Sequence, residues 1–295
     1  MAISAALVKE LRERTGAGMM ECKGALVEAN GDIEAAIEAM RKSGQAKAAK
    51  KSGRIAAEGV VMIAIADDRR RGVVVEINCE TDFVGKDASF LAFAEAVVAT
   101  ALASSVQDAA ALASEPLIND PSQTVDGARE ALIAKIGENI QVRRLLRFDG
   151  VEGALHSYRH GVRIGVVVEL VGGDEALGRD LAMHIAATNP LCVGADQVPA
   201  ELLDKEREIF KAQALESGKP EAIVDKMIEG RMRKYLEEVT LLGQPFVKDP
   251  EQSVEKLLKQ AGAQVRNFAR IEVGEGIEKK TENFAEEVMA QVRAN

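Results

Sequence analysis

The feature that most constrains this chain is an internal duplication. Residues 72–87 (GVVVEINCETDFVGKD) align without gaps to residues 165–180 (GVVVELVGGDEALGRD), with seven identities in sixteen positions, where composition alone gives about one. Ile77 opposite Leu170 and Lys86 opposite Arg179 extend the match conservatively. A chain that repeats such a segment builds the same supersecondary unit twice. Each copy follows another β-rich run, 59–66 and 153–160, across a turn, and each precedes an Ala-rich helical run, 89–104 and 181–188. Each half therefore reads as a β-hairpin followed by a helix. The expected class is α+β, with two related subdomains packed side by side. Further strands are expected at 141–148 and 265–273.

Ahead of the duplication, the first forty residues read as three short helices. Ser4 can cap a helix carrying Leu7, Val8 and Leu11; Gly16 and Gly18 supply a turn; Met20, Cys22, Ala25, Leu26 and Ala29 recur at helical spacing. Asp32 caps the third, with Ile33, Ala36, Ile37 and Met40 on one face. So small a unit buries a low fraction of its surface and gains by docking on another protein. The following stretch, 43–59, reads as a basic linker, since Arg41, Lys42, Lys47, Lys50, Lys51 and Arg54 have no acid between them. A solvated face is the simpler account of those charges; contact with an acidic partner or RNA is the other. Between Pro199 and Leu242 the pattern turns to long polar helices, broken at 217–220, which predicts a projecting αα-hairpin. After Gly274 and Gly276 an amphipathic helix is expected, with Phe284, Val288 and Val292 at i, i+4 and i+8.

Composition narrows function. Of 295 residues, 38 are Lys or Arg and 47 Asp or Glu, a net charge of -9, so the molecule as a whole repels phosphate backbones and general nucleic-acid binding is not expected. The three cysteines, Cys22, Cys79 and Cys192, are scattered without a CxxC pair, which fits a reducing cytoplasm better than a disulfide framework or zinc site. No secretory leader or membrane-spanning run is expected. With no Trp and only two Tyr, a functional aromatic is expected to be a Phe.

Catalytic signatures are missing. Gly85-Lys86-Asp87 and Gly218-Lys219-Pro220 lack the first glycine and the hydroxyl of a phosphate-cradling loop, Gly274 and Gly276 fail the dinucleotide pattern, and no HExxH occurs. His156 and His160, four apart, could share a face and ligate a metal, but no cysteine or acidic cluster supports them. His184, inside the helical run of the second repeat, reads as a packed histidine. The repeats part company at Thr81-Asp82-Phe83-Val84, opposite Asp174-Glu175-Ala176-Leu177. The duplicated fold does not itself require Phe83. Either it is a displayed wedge, or Thr81 or Asp82 caps the helix while Phe83 fills a local core.

The opening Leu7-Val8-Lys9-Glu10-Leu11-Arg12-Glu13-Arg14-Thr15-Gly16-Ala17-Gly18-Met19-Met20, with Cys22-Lys23, closely resembles the start of bacterial translation elongation factors Ts. The resemblance continues through 78–84 (NCETDFV), 135–140 (KIGENI), 160–165 (HGVRIG), 243–246 (GQPF) and 272–276 (EVGEG), so it spans essentially the whole chain. Departures are an expanded turn at 67–71 and a longer segment at 103–127.

That resemblance implies a guanine-nucleotide exchange factor for the GTPase elongation factor Tu, not an enzyme, with no cofactor, no metal and no nucleotide site of its own, acting in the cytoplasm. It implies a ubiquitin-associated-like N-terminal module (1–53, linker included) docking on the GTPase through Arg12, Met19 and Met20. A core N subdomain (54–148) would present Thr81, Asp82, Phe83 and Val84, with Asp82 and Phe83 inserting near the Mg2+ and phosphate site of Tu. A core C subdomain (149–188 and 238–273) would add His160 as a weaker contact. An inserted antiparallel coiled coil (189–237) would mediate association, with self-association open through this hairpin or through the core, and a C-terminal helical module (274–295) would hold another face of the GTPase. Two other classes stay open: an adaptor that binds through residues 1–53 alone, and a small metal hydrolase using His156 and His160.

Overall fold

Val60, Val61, Val73, Val74 and Val75 are wholly buried, and their alternation along two paired strands explains the layering. In the computed structural model, which describes residues 3–215 and 220–278, strands β1 (Glu58–Ile65) and β2 (Gly72–Cys79) form the expected antiparallel hairpin. Every residue of β2 is buried. One set of side chains, Val73, Val75 and Ile77, faces the helices; Val74 with Val61 faces a second sheet.

The rest of the first half follows in order: α4 (Ala88–Ala103), α5 (Ala109–Leu112), β3 (Pro116–Leu117), β4 (Asp120–Thr124), α6 (Val125–Ile136) and β5 (Gln141–Phe148). The second half has β6 (Ala154–His160), β7 (Ile164–Val171), α7 (Glu175–Thr188), α8 (Ala200–Leu215), α9 (Glu221–Val239), β8 (Pro245–Phe246), β9 (Asp249–Ser253), α10 (Val254–Gln260) and β10 (Gln264–Glu272). The two three-stranded sheets have the same antiparallel topology, β1-β2-β5 and β6-β7-β10. They pack face to face through Val61, Val74, Phe148, Val167, Ala269 and Ile271. The fold is therefore α+β, built twice.

The duplication runs further than the sixteen-residue match. Residues 116–125 (PLINDPSQTV) and 245–254 (PFVKDPEQSV) form small hairpins of identical register, Pro116 opposite Thr124 and Leu117 opposite Asp120, Pro245 opposite Ser253 and Phe246 opposite Asp249. In both, a glutamine amide bonds the aspartate, Gln123 to Asp120 at 2.5 Å and Gln252 to Asp249 at 2.6 Å. The long segment 103–127 thus contains one copy of this unit, preceded by α5. The helices α8 and α9 pack on each other with Phe210 edge-on to Tyr235 at 6.4 Å, and stand where the first half has only α5.

At the N-terminus, α1 (Ala5–Thr15) and α2 (Met19–Glu28) are short, but α3 (Ile33–Lys51) runs 19 residues. Ser4 and Asp32 cap as expected, and Gly16, at φ 67°, closes α1. The linker reading of 43–59 fails over its first half: 43–51 is helix. Lys, Ala and Gln are strong helix formers, no proline intervenes, and the small residues serve packing. Gly44 lies against α6, where a Cβ would come 3.8 Å from that of Ala134, and Ala48 is buried in the first half's core. Of the basic residues, Lys47 bonds Glu21 at 2.6 Å and Lys51 bonds the carbonyl of Gly137 at 2.6 Å, so they tie the module to itself and to the core. The break at 217–219 and the amphipathic stretch of Phe284, Val288 and Val292 lie outside the described residues.

Candidate functional site

Past Cys79 the two halves diverge in shape as well as in sequence. In the second half, Asp174 accepts from the Leu177 N–H at 2.8 Å and α7 starts at once. In the first, Thr81 Oγ1 accepts from the Val84 N–H at 3.4 Å, but the chain makes only a short 3-10 turn, Val84–Lys86. Asp87 then recaps, accepting from Ser89 and Phe90 at 2.8 and 3.2 Å, and those two N–H groups hold its carboxyl below the ordinary range. The broken start leaves residues 80–84 as a protruding corner.

That corner is bonded almost atom by atom. Glu138, in the loop between α6 and β5, accepts from the N–H groups of Glu80 and Thr81 at 3.1 and 3.0 Å and from the Thr81 hydroxyl at 2.7 Å. Glu80 in turn accepts from the Asn139 N–H at 2.6 Å, and Asn139 donates to the carbonyl of Arg54 at 2.7 Å. Beneath it lies Gly59 at φ 138°, where a Cβ would stand 2.1 Å from the Ile77 oxygen. Cys79 is buried and donates to the Thr81 carbonyl at 3.1 Å; burial first, and then Glu138 and Glu58, push its thiol up to about 12, so it is an inert packing thiol.

On this support Phe83 is 81% exposed while Val84 turns inward. The reading in which Phe83 fills a local core is therefore wrong: Val84, whose N–H Thr81 caps, is the residue that turns into the core. Asp82 is exposed and takes Lys86 Nζ at 2.7 Å; that hydrogen bond, with the lysine charge, lowers its pKa. A stiff backbone presenting one large apolar ring beside one ionised carboxylate is suited to entering a partner's pocket, not to bond-making chemistry.

The other expected residues lie elsewhere. Arg12 is exposed late in α1, and Met19 and Met20, at the start of α2, are 60% and 76% exposed. The two methionines put exposed apolar surface on the N-terminal module. His160 is exposed at the end of β6, its Nδ1 3.3 Å from the Tyr158 hydroxyl. His156 is buried on the same strand against Gly178, where a Cβ would meet the ring at 2.2 Å. Packing, not ligation, accounts for it, and among the described residues no group of three or more His, Cys, Asp and Glu could hold a metal ion. His184 is packed, as read from its helix: it is wholly buried, Nε2 2.9 Å from Gln244 Oε1 and Nδ1 accepting from the Val247 N–H at 3.1 Å. No described helix is long and apolar enough to cross a membrane.

Glu138, Asn139 and Gly59 had no role in the reading of the residues. The first two fall in the 135–140 motif, whose resemblance marked it without saying what it does; the strain at Gly59 exists only once β1 pairs with β2.

Comparison with known proteins gives a coherent result. A family model described as elongation factor TS matches residues 80–275, beginning at the corner that carries Phe83. The chain is 63% identical over 294 residues to elongation factor Ts of Thioalkalivibrio sulfidiphilus, covering 99% of each. It is 59% identical over 295 residues to that of Methylococcus capsulatus, covering all of both, and 58% identical over 291 residues to that of Legionella pneumophila, covering 99% of each.

Proposed function

Because the chain belongs to the elongation factor Ts family, whose members serve translation, we propose that it is a guanine-nucleotide exchange factor for elongation factor Tu. It binds the GDP form, promotes GDP release and leaves when GTP enters. The observation that carries the mechanism is Phe83, four-fifths exposed on a backbone held by Glu138. In this reading Asp82 and Phe83 enter the Mg2+ and phosphate region of the GTPase, with Thr81 and Val84 shaping the corner. Arg12, Met19 and Met20 dock the N-terminal, ubiquitin-associated-like module on the nucleotide-binding domain, and His160 adds a contact from the second half. The αα-hairpin of α8 and α9 acts as a coiled coil in association, and residues 274–295 form a further holding element.

The physics is linkage. A factor that prefers the nucleotide-free GTPase weakens GDP binding by the same factor, and each 1.4 kcal/mol or so of preference is worth tenfold. No bond is made or broken, so no catalytic acid, base or cofactor is called for.

The test is release of fluorescent GDP from purified elongation factor Tu, chased with unlabelled GDP, with and without a substoichiometric amount of this protein. Acceleration of many turnovers per molecule supports exchange. Absence of acceleration with tight binding retained by residues 1–53 would replace it with an adaptor.

A further inference from the structure

The two halves close the junction beside the first repeat's corner in different ways. In the second half the turn between α10 and β10 is Ala261-Gly262-Ala263, and it sits directly on Gly172 and Gly173. A Cβ on Gly172 would stand 2.6 Å from the Gly262 oxygen, and one on Gly173 3.2 Å from the Ala263 Cβ. Backbone and methyl contacts suffice, and no side-chain acceptor is used. In the first half the equivalent turn is Gly137-Glu138-Asn139, and the positions facing it are Cys79 and Glu80. The shared fold therefore does not call for a carboxylate here.

What the carboxylate does is specific. Both Glu138 oxygens are used, Oε2 by the Glu80 and Thr81 N–H groups and Oε1 by the Thr81 hydroxyl, and the same hydroxyl oxygen takes the Val84 N–H. Thus the backbone on both sides of Asp82 and Phe83 is fixed from one anchor. The same turn also reaches the N-terminal module. Lys51 donates to the Gly137 carbonyl, and Asn139 to those of Arg54 and, at 3.4 Å, Ser52. Asn139 does so while its own buried Oδ1 has no partner, a cost the fold carries at this point.

We infer that Glu138 is a positioning residue for exchange: the Gly137-Glu138-Asn139 turn sets the attitude of the Asp82-Phe83 corner and registers it against the N-terminal helices, so that both meet the GTPase at once. This rests on the exchange reading above. A corner left free to sample several conformations presents the productive one for a fraction of the time, and its apparent potency falls by that fraction. Glu138 touches no nucleotide. Its effect passes through the Asp82-Phe83 corner, chiefly through the ring.

The experiment is a double-mutant cycle in full-length protein, reading stimulated GDP release from elongation factor Tu, melting temperature and amide hydrogen exchange. Glu138→Ala is expected to lower stimulated release about tenfold, the scale of losing charge-assisted hydrogen bonds at one anchor. The amides of Glu80 and Thr81 lose protection, whereas those of β2 and α4 keep it. Glu138→Gln keeps an oxygen for both N–H groups and is expected to stay within about threefold of the parent. In the Phe83→Ala background, Glu138→Ala is expected to add less than about threefold, because only the Asp82 part of its route is left. The proposal is overturned by an unchanged rate in Glu138→Ala, by full additivity with Phe83→Ala, or by a lowered melting temperature with Glu138→Gln as impaired as Glu138→Ala. A Phe83→Ala protein that exchanges normally sinks the wedge itself and this inference with it; the amide data then still say whether the anchor holds the corner.

Discussion

The first and second halves of the core share strand order, the buried Gly-Val-Val-Val strand and a small Pro-to-Val hairpin, yet only one ends its central strand in a displayed aromatic. Phe83 and Ala176 occupy corresponding positions, and both are exposed. The molecule thus contains its own control. An exposed position whose fold is satisfied by alanine in one copy carries phenylalanine in the other, and a large apolar ring in water is a cost unless something covers it. The second lesson concerns stiffness. The half with the ring also has a carboxylate beneath it, and the half without the ring has glycines.

The shared scaffold can be broken in both halves alike, and this should be the largest effect. Gly59→Ala and Gly153→Ala each drive a Cβ to 2.1 Å from a carbonyl oxygen, that of Ile77 or Leu170. Each is expected to cost roughly 2–4 kcal/mol in chemical denaturation. A loss at one glycine only would mean that the two sheets are not built to the same close approach.

The displayed ring should separate the halves. Phe83→Ala is expected to reduce stimulated GDP release by roughly thirtyfold, the size of losing an interface anchor of about 2 kcal/mol, with circular dichroism and melting unchanged. Adding Ala176→Phe should not restore it, since that position starts a regular helix without the broken corner. Recovery in the double variant would show that an exposed ring suffices and that the corner's geometry is dispensable.

A smaller difference is in pH response. All three histidines, His156, His160 and His184, belong to the second half. Burial lowers the pKa of His184 from 6.5, outweighing the hydrogen bond to Gln244 that favours the charged ring, and burial likewise lowers that of His156. The unfolded chain therefore takes up these protons first. Stability from this source is full above about pH 6.5 and declines as pH falls toward the folded values. Amide protection in α7 and β8 should weaken between pH 7.5 and 5.5 more than in α4 and β3, and His184→Gln should flatten the melting-temperature slope. Equal weakening in both halves would detach the effect from the histidines.

Much of this was legible in the residues, and particular elements show why. The hairpin of β1 and β2 follows from β-branched runs bounded by turns, since those signals are local. The caps at Ser4 and Asp32 are local too. The helix through 43–51 was not legible, because an Ala-, Lys- and Gly-containing stretch has propensity but no apolar stripe, and its reason to persist is α6, over eighty residues away in the chain. The copy at 116–125 and 245–254 shares five identities in ten positions, but it is short and stands apart from the sixteen-residue match; the common register of the two hairpins is visible only once they are folded.

The sequence by itself determined that the chain is a duplicated α+β protein of the elongation factor Ts family, because repeats, periodicity and ordered motifs survive in one dimension. It also marked 81–84 as the place where the copies differ. Only the tertiary structure decided that Phe83 stands in solvent and that Glu138 holds the corner beneath it. A side chain's exposure depends on what other segments bring to it: the anchor of Thr81 comes from 57 residues further along, and no spacing rule relates the two.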